Sequence, residues 1–276
     1  EPTHIDPGLE AWDVRNKALE HRLTGGSEAE VYERLRLSGT LPLGVPGKIA
    51  FDQATASVPA LVAEHAARTS GKARSVSIDL DLDGERLVGQ IDAIYPEGRV
   101  VAQASGTSAK HEVGVWLTHL ALRACEDVPL TSSTLIRRAG AEAEVLTLGT
   151  TLSRARARTL LSAIIKDYQR GQRYPLCFFP ETSKAYVEGL KSHDPDKHKI
   201  SAEARALSRA EKAWEKDMPG AEGKDRYNLT LHGTQRPYEP SYTIEGMDAE
   251  VAPSFEELAL RFWLDLYDEV GKEEGA

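Results

Sequence analysis

The spacing of apolar positions divides the chain into a helical opening, a stranded middle and a charged final third. Leu9, Trp12, Leu19 and Leu23 recur at helical spacing, and Gly25-Gly26 ends that run before a second short helix, Glu28–Leu37. A Gly- and Pro-rich loop follows, SGTLPLGVPG, and residues 50–68 read as a further helix kinked near Pro59. From residue 75 the period changes to two. Val76, Ile78, Leu80 and Leu82 alternate with Ser77, Asp79 and Asp81; Asp83-Gly84 supplies a hairpin turn, and Glu85–Ile94 returns. A third strand is predicted at about Arg99–Ser105, an apolar helix over 111–126, and two more strands near 131–138 and 143–149. Ser153 then caps a helix to Arg170, with Leu161, Ile164, Ile165 and Tyr168 as its core face.

Beyond YPLCFFPETS the composition changes. Residues 184–250 are charged and loop-rich, with a polar helix around 201–217 and a flexible link at MPGAEGKD. A last helix starts at the capping box of Ser254 and Glu257. Its apolar residues cover so much of its circumference that it must be buried, and packing within the domain is the preferred reading. The predicted organisation is therefore a helical part over 1–75, an α/β core over 76–183, and a loop-rich extension with a C-terminal helix over 184–276. Together these are expected to form one compact domain.

Composition narrows the classes. The chain has 276 residues, enough for a real core, and no apolar run approaches the roughly 20 residues that span a bilayer. It begins EPTHIDPGLE, without a signal-peptide pattern or an initiator Met, which reads as a piece of a longer protein. Cys125 and Cys177 alone make neither a disulfide framework nor a zinc spacing, so a cytoplasmic setting is expected. The net charge of −9 argues against a free-standing, sequence-independent DNA binder, whose affinity comes from Lys and Arg on phosphates. Any nucleic-acid role must be local or shared with other subunits.

The candidate chemistry lies in LVGQIDAIYPEGRVVAQASG, residues 87–106. Helix, three antiparallel strands, helix and further strands is the order of the PD-(D/E)xK nuclease core, and Gly89-Gln90-Ile91-Asp92 resembles the first half of its site. Such a site gathers at least two carboxylates around a hard cation, with a lysine two residues after the second carboxylate. Strand alternation puts that carboxylate and lysine side by side. Here, with the apolar pair Val100-Val101 aligned, Ala102 stands at the carboxylate position and Ala104 at the lysine position. A methyl group neither ligates a cation nor donates a hydrogen bond. The residues thus read as a vestigial site, with Asp92 as its relic and no catalytic residue. The plainer alternative is a β-meander of no nuclease ancestry.

The flanks carry a more specific resemblance. LEAWDVRNKALEHRL, SGTLPLGVPGKIAFDQ and YPLCFFPETSKAY, in that order, resemble the C-terminal part of the RecC family, the gamma subunits of exodeoxyribonuclease V. The resemblance implies a nuclease-like fold without catalytic residues. It also implies a place in the RecBCD helicase–nuclease, a scaffold contacting RecB- and RecD-like subunits, and a part in splitting and guiding DNA during double-strand-break repair. It implies no cofactor. The competing reading is an active Mg-dependent PD-(D/E)xK exonuclease whose second carboxylate comes from elsewhere, Glu64 or Glu112.

Other features weigh less. Asp79-x-Asp81-x-Asp83-Gly84 opens like a calcium loop, but Gln90 stands where the bidentate Glu belongs, so a hairpin with an acidic face is preferred. Arg137, Arg138, Arg154, Arg156 and Arg158 are candidate phosphate contacts, three of them at a helix N-terminus. Exposed surface is the plainer account of these arginines. It also serves for His193 and His198, which lack helical metal spacing. Glu64 and His65 form a pair with little to act on. There is no Walker motif and no hydrolase triad.

Overall fold

A computed structural model describes residues 4–125, 132–218, 220–240, 242 and 253–271. Two compact units divide the chain: Glu1–Ser77, Gln90–Ser108 and Thr131–Leu148 form the first, and Ile78–Gly89, Ala109–Leu130 and Gly149–Ala276 the second. Among the described residues no helix is long and apolar enough to cross a membrane.

In the first unit α1 (Leu9–Leu23) ends at Gly25, and α2 (Glu28–Leu37) opens on a complete capping box. Glu30 N donates to Ser27 Oγ at 3.3 Å, and Ser27 N donates to Glu30 Oε2 at 2.7 Å. The single kinked helix expected over 50–68 is two helices, α3 (Val45–Thr55) and α4 (Val58–Ala67). Each carries a proline in its first turn, where the missing N–H would have had no partner anyway, so Pro59 marks a start and not a kink.

The sheet has the order β1-β2-β3-β4-β5: β1 (Arg74–Leu82), β2 (Glu85–Tyr95), β3 (Gly98–Gln103), β4 (Ser133–Ala139) and β5 (Glu142–Leu148). β2 pairs antiparallel with β3, β3 parallel with β4, and β4 antiparallel with β5. A parallel neighbour needs a long crossover, and the chain between β3 and β4 carries α5 (Ala109–Ala124). The fold is thus mixed α/β, with α4 packed on β3, β4 and β5. Val14, Leu19, Val31, Leu35, Phe51 and Leu61 of the helices meet Val100, Ala104 and Ile136 of the sheet in one apolar core.

Apart from the Ile78–Gly89 part of the β1–β2 hairpin, the second unit is mainly helical: α5, α6 (Arg154–Gly171), α7 (Pro180–Lys191), α8 (Ala202–Trp214), α9 (Arg226–His232) and α10 (Phe255–Glu269). The sequence pattern missed α7 and α9. The α7 axis passes so near α8 that a Cβ on Gly189 would lie 2.6 Å from Ala206 Cα; only hydrogen fits there. As expected, α10 is buried: Phe255, Leu258, Phe262, Trp263 and Leu266 pack inside this unit, Phe262 stacked on Phe178 with ring centroids 4.2 Å apart. The MPGAEGKD link is pinned at its described end. Buried Glu222 accepts from Glu181 N (2.9 Å), Thr182 N (2.8 Å) and Thr182 Oγ1 (2.7 Å), so its carboxylate caps the N-terminus of α7.

Candidate functional site

β2 presents Asp92 at the surface. Its carboxylate accepts from Ser75 Oγ at 2.5 Å and from Gln90 Nε2 at 3.0 Å. The Ser75 bond and then the Gln90 bond hold its carboxyl below the usual carboxylate range, and nearby Arg99 adds to the effect. The next residue, Ala93, lies in the left-handed region at φ 61°, an uncommon backbone for a residue with a Cβ. The β2–β3 register is Ile94↔Arg99 and Tyr95↔Gly98, on the far side of that turn in the strand.

On β3 alternate residues share a face, so Val100, Ala102 and Ala104 go one way and Arg99, Val101 and Gln103 the other. Val100 and Ala104 are in the apolar core under α1–α4, and half-buried Ala102 packs against it. Just past them Trp12 Nε1 of α1 donates to Ser105 Oγ at 3.0 Å. Arg99, half-buried, has its Nε and Nη1 shielded from solvent without a hydrogen-bond acceptor, and burial lowers its pKa against the opposing pull of Asp92. The cation neighbouring Asp92 is therefore this arginine, on the side of β3 away from Ala102 and Ala104. These residues do not fit a hard cation: one carboxylate is already bound by two donors, and the two third-strand positions offer no oxygen.

The other acidic candidates are engaged. Glu64 pairs with Arg68 one turn on, and His65, its pKa lowered by burial, lies edge-on to Tyr95 with ring centroids 5.6 Å apart. Glu112 is buried in the second unit, where its Oε1 accepts from Lys184 Nζ at 2.6 Å. In the β1–β2 hairpin Asp79 pairs with Arg86, Asp81 Oδ1 caps Gly84 N at 3.0 Å, and Asp83 accepts from Ser162 Oγ at 2.5 Å. Among the described residues no three His, Cys, Asp or Glu side chains cluster as a metal would need. His193 and His198 serve their loop: His193 Nε2 lies 2.9 Å from the Ile200 carbonyl, and His198 Nδ1 accepts from Asp194 N at 2.9 Å.

The five arginines that are candidate phosphate contacts mostly have partners within the protein. Arg137 is buried on β4 and bidentate to Glu144, both distances 2.9 Å. Arg138, half-buried, donates to the Gly140 carbonyl at 3.4 Å. Arg154 is half-buried in the first turn of α6, Arg156 grips Asp265 at 3.1 and 2.8 Å, and Arg158 donates to the carbonyls of Asp81 and Ala124. What the sequence pattern missed lies at the other end of the same helix. Tyr168, expected on the core face, is 66% exposed and begins a wholly exposed run, YQRGQRY. The absence of any acidic residue from that run was the available signal.

Comparison with known proteins gives a consistent assignment. Residues 1–191 match the model of the RecC C-terminal domain. The chain is 28% identical over 272 residues to the RecBCD enzyme subunit RecC of Mycolicibacterium smegmatis, covering 96% of this chain and 24% of that protein. To the RecBCD enzyme subunit RecC of Escherichia coli it is 24% identical over 181 residues, covering 66% of this chain and 16% of that protein. The chain thus spans about a quarter or less of the curated relatives that it matches.

Proposed function

The chain belongs to the RecC C-terminal domain family, and on that premise we propose that it is the non-catalytic C-terminal scaffold of a RecC-type subunit. In this reading it contacts RecB- and RecD-type partners in a cytoplasmic helicase–nuclease and helps guide separated DNA strands. Its nuclease-like core descends from a PD-(D/E)xK enzyme and has lost the chemistry. The observation that carries the proposal is the family match, which covers the whole stretch holding Asp92, Ala102 and Ala104. Further support comes from the state of those positions. Asp92 is tied to Ser75 and Gln90, and Ala104 is 1% exposed within an apolar core. A hydrated divalent ion has no approach to a side chain buried that deeply.

Two measurements test this together. Co-expression with RecB- and RecD-type subunits should give a complex that survives gel filtration. The purified protein alone should leave linear DNA intact with Mg²⁺ or Mn²⁺. Cutting that Asp92→Ala abolishes would overturn the proposal in favour of a metal-dependent exonuclease.

A further inference from the structure

One end of the sheet in the first unit brings together two arginines that no acid neutralises. Arg138 lies two residues after Ile136 on β4 and so points, as Ile136 does, to the side that α1–α4 cover. Its N–H donates to the Ser105 carbonyl just past β3 at 3.0 Å, and its partner in the β5 register is the uncharged Ala143. A Cβ on Gly106 would lie 3.9 Å from Arg138 Nη2, so the guanidinium is folded back over that bend. The same bend is reached by α1. Trp12 Nε1 donates to Ser105 Oγ at 3.0 Å, and Arg15 stands one turn further along the same helix face.

Charge at this end is unbalanced. Arg15 is half-buried and spends its Nε on the Ala54 carbonyl at 2.8 Å, which ties α1 to α3 and leaves both Nη groups uncommitted. Arg138 is half-buried too; its Nη1 makes a long 3.4 Å bond to the Gly140 carbonyl, and its Nε is shielded from solvent without an acceptor. Burial lowers the Arg15 pKa, and the positive field of Arg138 lowers it further. Among the described residues neither guanidinium pairs with a carboxylate. Glu144, the acid on the neighbouring strand, is held by Arg137 and by Thr107 Oγ1. Two like charges drawn partly out of water are costly unless one anion meets both.

We propose that Arg15 and Arg138 form a binding site for one dianionic phosphate group, either free phosphate or a terminal monoester. Charge matching selects it. A phosphate carrying about −1.5 to −2 at pH 7 neutralises both guanidinium groups and offers acceptor oxygens in more than one direction. A carboxylate or a backbone phosphodiester brings a single charge and leaves one arginine unmatched. The site is therefore distinct from contact with the body of a DNA strand or with an acidic protein surface, and it goes beyond the scaffold reading.

Thermal melts of the full chain in inorganic phosphate, with chloride at matched ionic strength as the reference, test the site. Phosphate is also excluded from any protein surface and stabilises without saturating, so the readout is the saturable part of the shift. At ten times its dissociation constant a bound ligand moves the folding equilibrium about elevenfold. The parent should show that rise with inorganic phosphate and with methyl phosphate, the tighter of the two marking the source of the group. Dimethyl phosphate and acetate should give none. Arg138→Gln should abolish the rise while melting at or above the parent in chloride, because it removes a like charge from beside Arg15. Arg15→Lys keeps the charge but loses the fork, and should weaken the response several-fold. A parent without a saturable rise, or an Arg138→Gln variant that keeps it, would overturn the site. So would acetate or dimethyl phosphate matching inorganic phosphate, since the arginines would then serve a partner's carboxylate or a strand's backbone. Capture of RecB- and RecD-type partners is read separately, so failure of this site leaves the scaffold assignment standing.

Discussion

Replacing Glu112 by Gln should lower the melting temperature of the second unit by about 6–12 °C. The Glu112 side chain is 2% exposed and that of Lys184 15%, and their charged atoms are 2.6 Å apart, joining α5 to α7. Removing one partner of such a pair leaves an uncompensated buried charge and costs about 3–5 kcal/mol. Here the lower end applies, because Lys184 Nζ also lies 3.9 Å from Glu188 and 5.9 Å above the Trp263 ring. About 3 kcal/mol, at about 2–4 °C per kcal/mol for a unit of this size, gives that range.

The assay is a thermal melt followed by circular dichroism, with and without Mn²⁺. Two controls separate structure from chemistry. Glu112→Leu with Lys184→Met removes both charges and should recover most of the loss, since apolar replacement of a buried pair is often neutral or better. Mn²⁺ should leave the parent unchanged. If Glu112→Gln melts with the parent, the pair does not hold the two helices together. If Mn²⁺ raises the melting point of the parent but not of Glu112→Gln, Glu112 is a metal ligand and the structural argument is wrong, because only preferential binding to the folded state raises the midpoint.

Three further outcomes follow from the geometry. Ala104→Asp should destabilise the first unit by several kcal/mol in urea, an ion forced into a core position, and should not yield Mg-dependent digestion of linear DNA. Gly47→Ala should lower the urea midpoint by about 1–3 kcal/mol worth of stability, because its Cβ would fall 1.8 Å from the Pro42 carbonyl oxygen. Cys177, its thiol pushed up to about 11 by burial, should react with a thiol reagent at pH 8 only as fast as the protein unfolds. Because the folded value is raised, its contribution to stability is complete below the ordinary thiol value of 9.0 and is lost as pH rises through about 11.

Element types were legible wherever one periodicity ran long enough to bury one face. The β1–β2 hairpin and α6 behind Ser153 fall within a residue or two of their predicted limits, and α10 starts directly behind Ser254 as its capping box predicted. Misreadings came from local chemistry with two meanings. A proline inside an apolar run signals a kink or a first turn, and Pro59 does the second because α3 ends just before it. α7 was hidden for a related reason: its first turn sits in a Pro-Glu-Thr-Ser run that reads as loop, and what caps it is Glu222, far away in sequence. A cap delivered through tertiary structure leaves no mark beside the helix it serves.

The candidate site shows a sharper limit. Counting by twos along β3 places Ala102 and Ala104 on one face, and the core contacts agree with that count. Carrying the same count back to Asp92 requires an unbroken strand, and Ala93 at φ 61° interrupts it. Alanine gives no warning of a left-handed position, as Gly or Asn would have. The neighbour that electrostatics assigns to Asp92 is consequently Arg99, a residue with no part in the motif argument. What holds Asp92 in place is the pair of bonds from Ser75 Oγ and Gln90 Nε2, at 2.5 and 3.0 Å, with Arg99 adding a weaker positive field and no hydrogen bond to it.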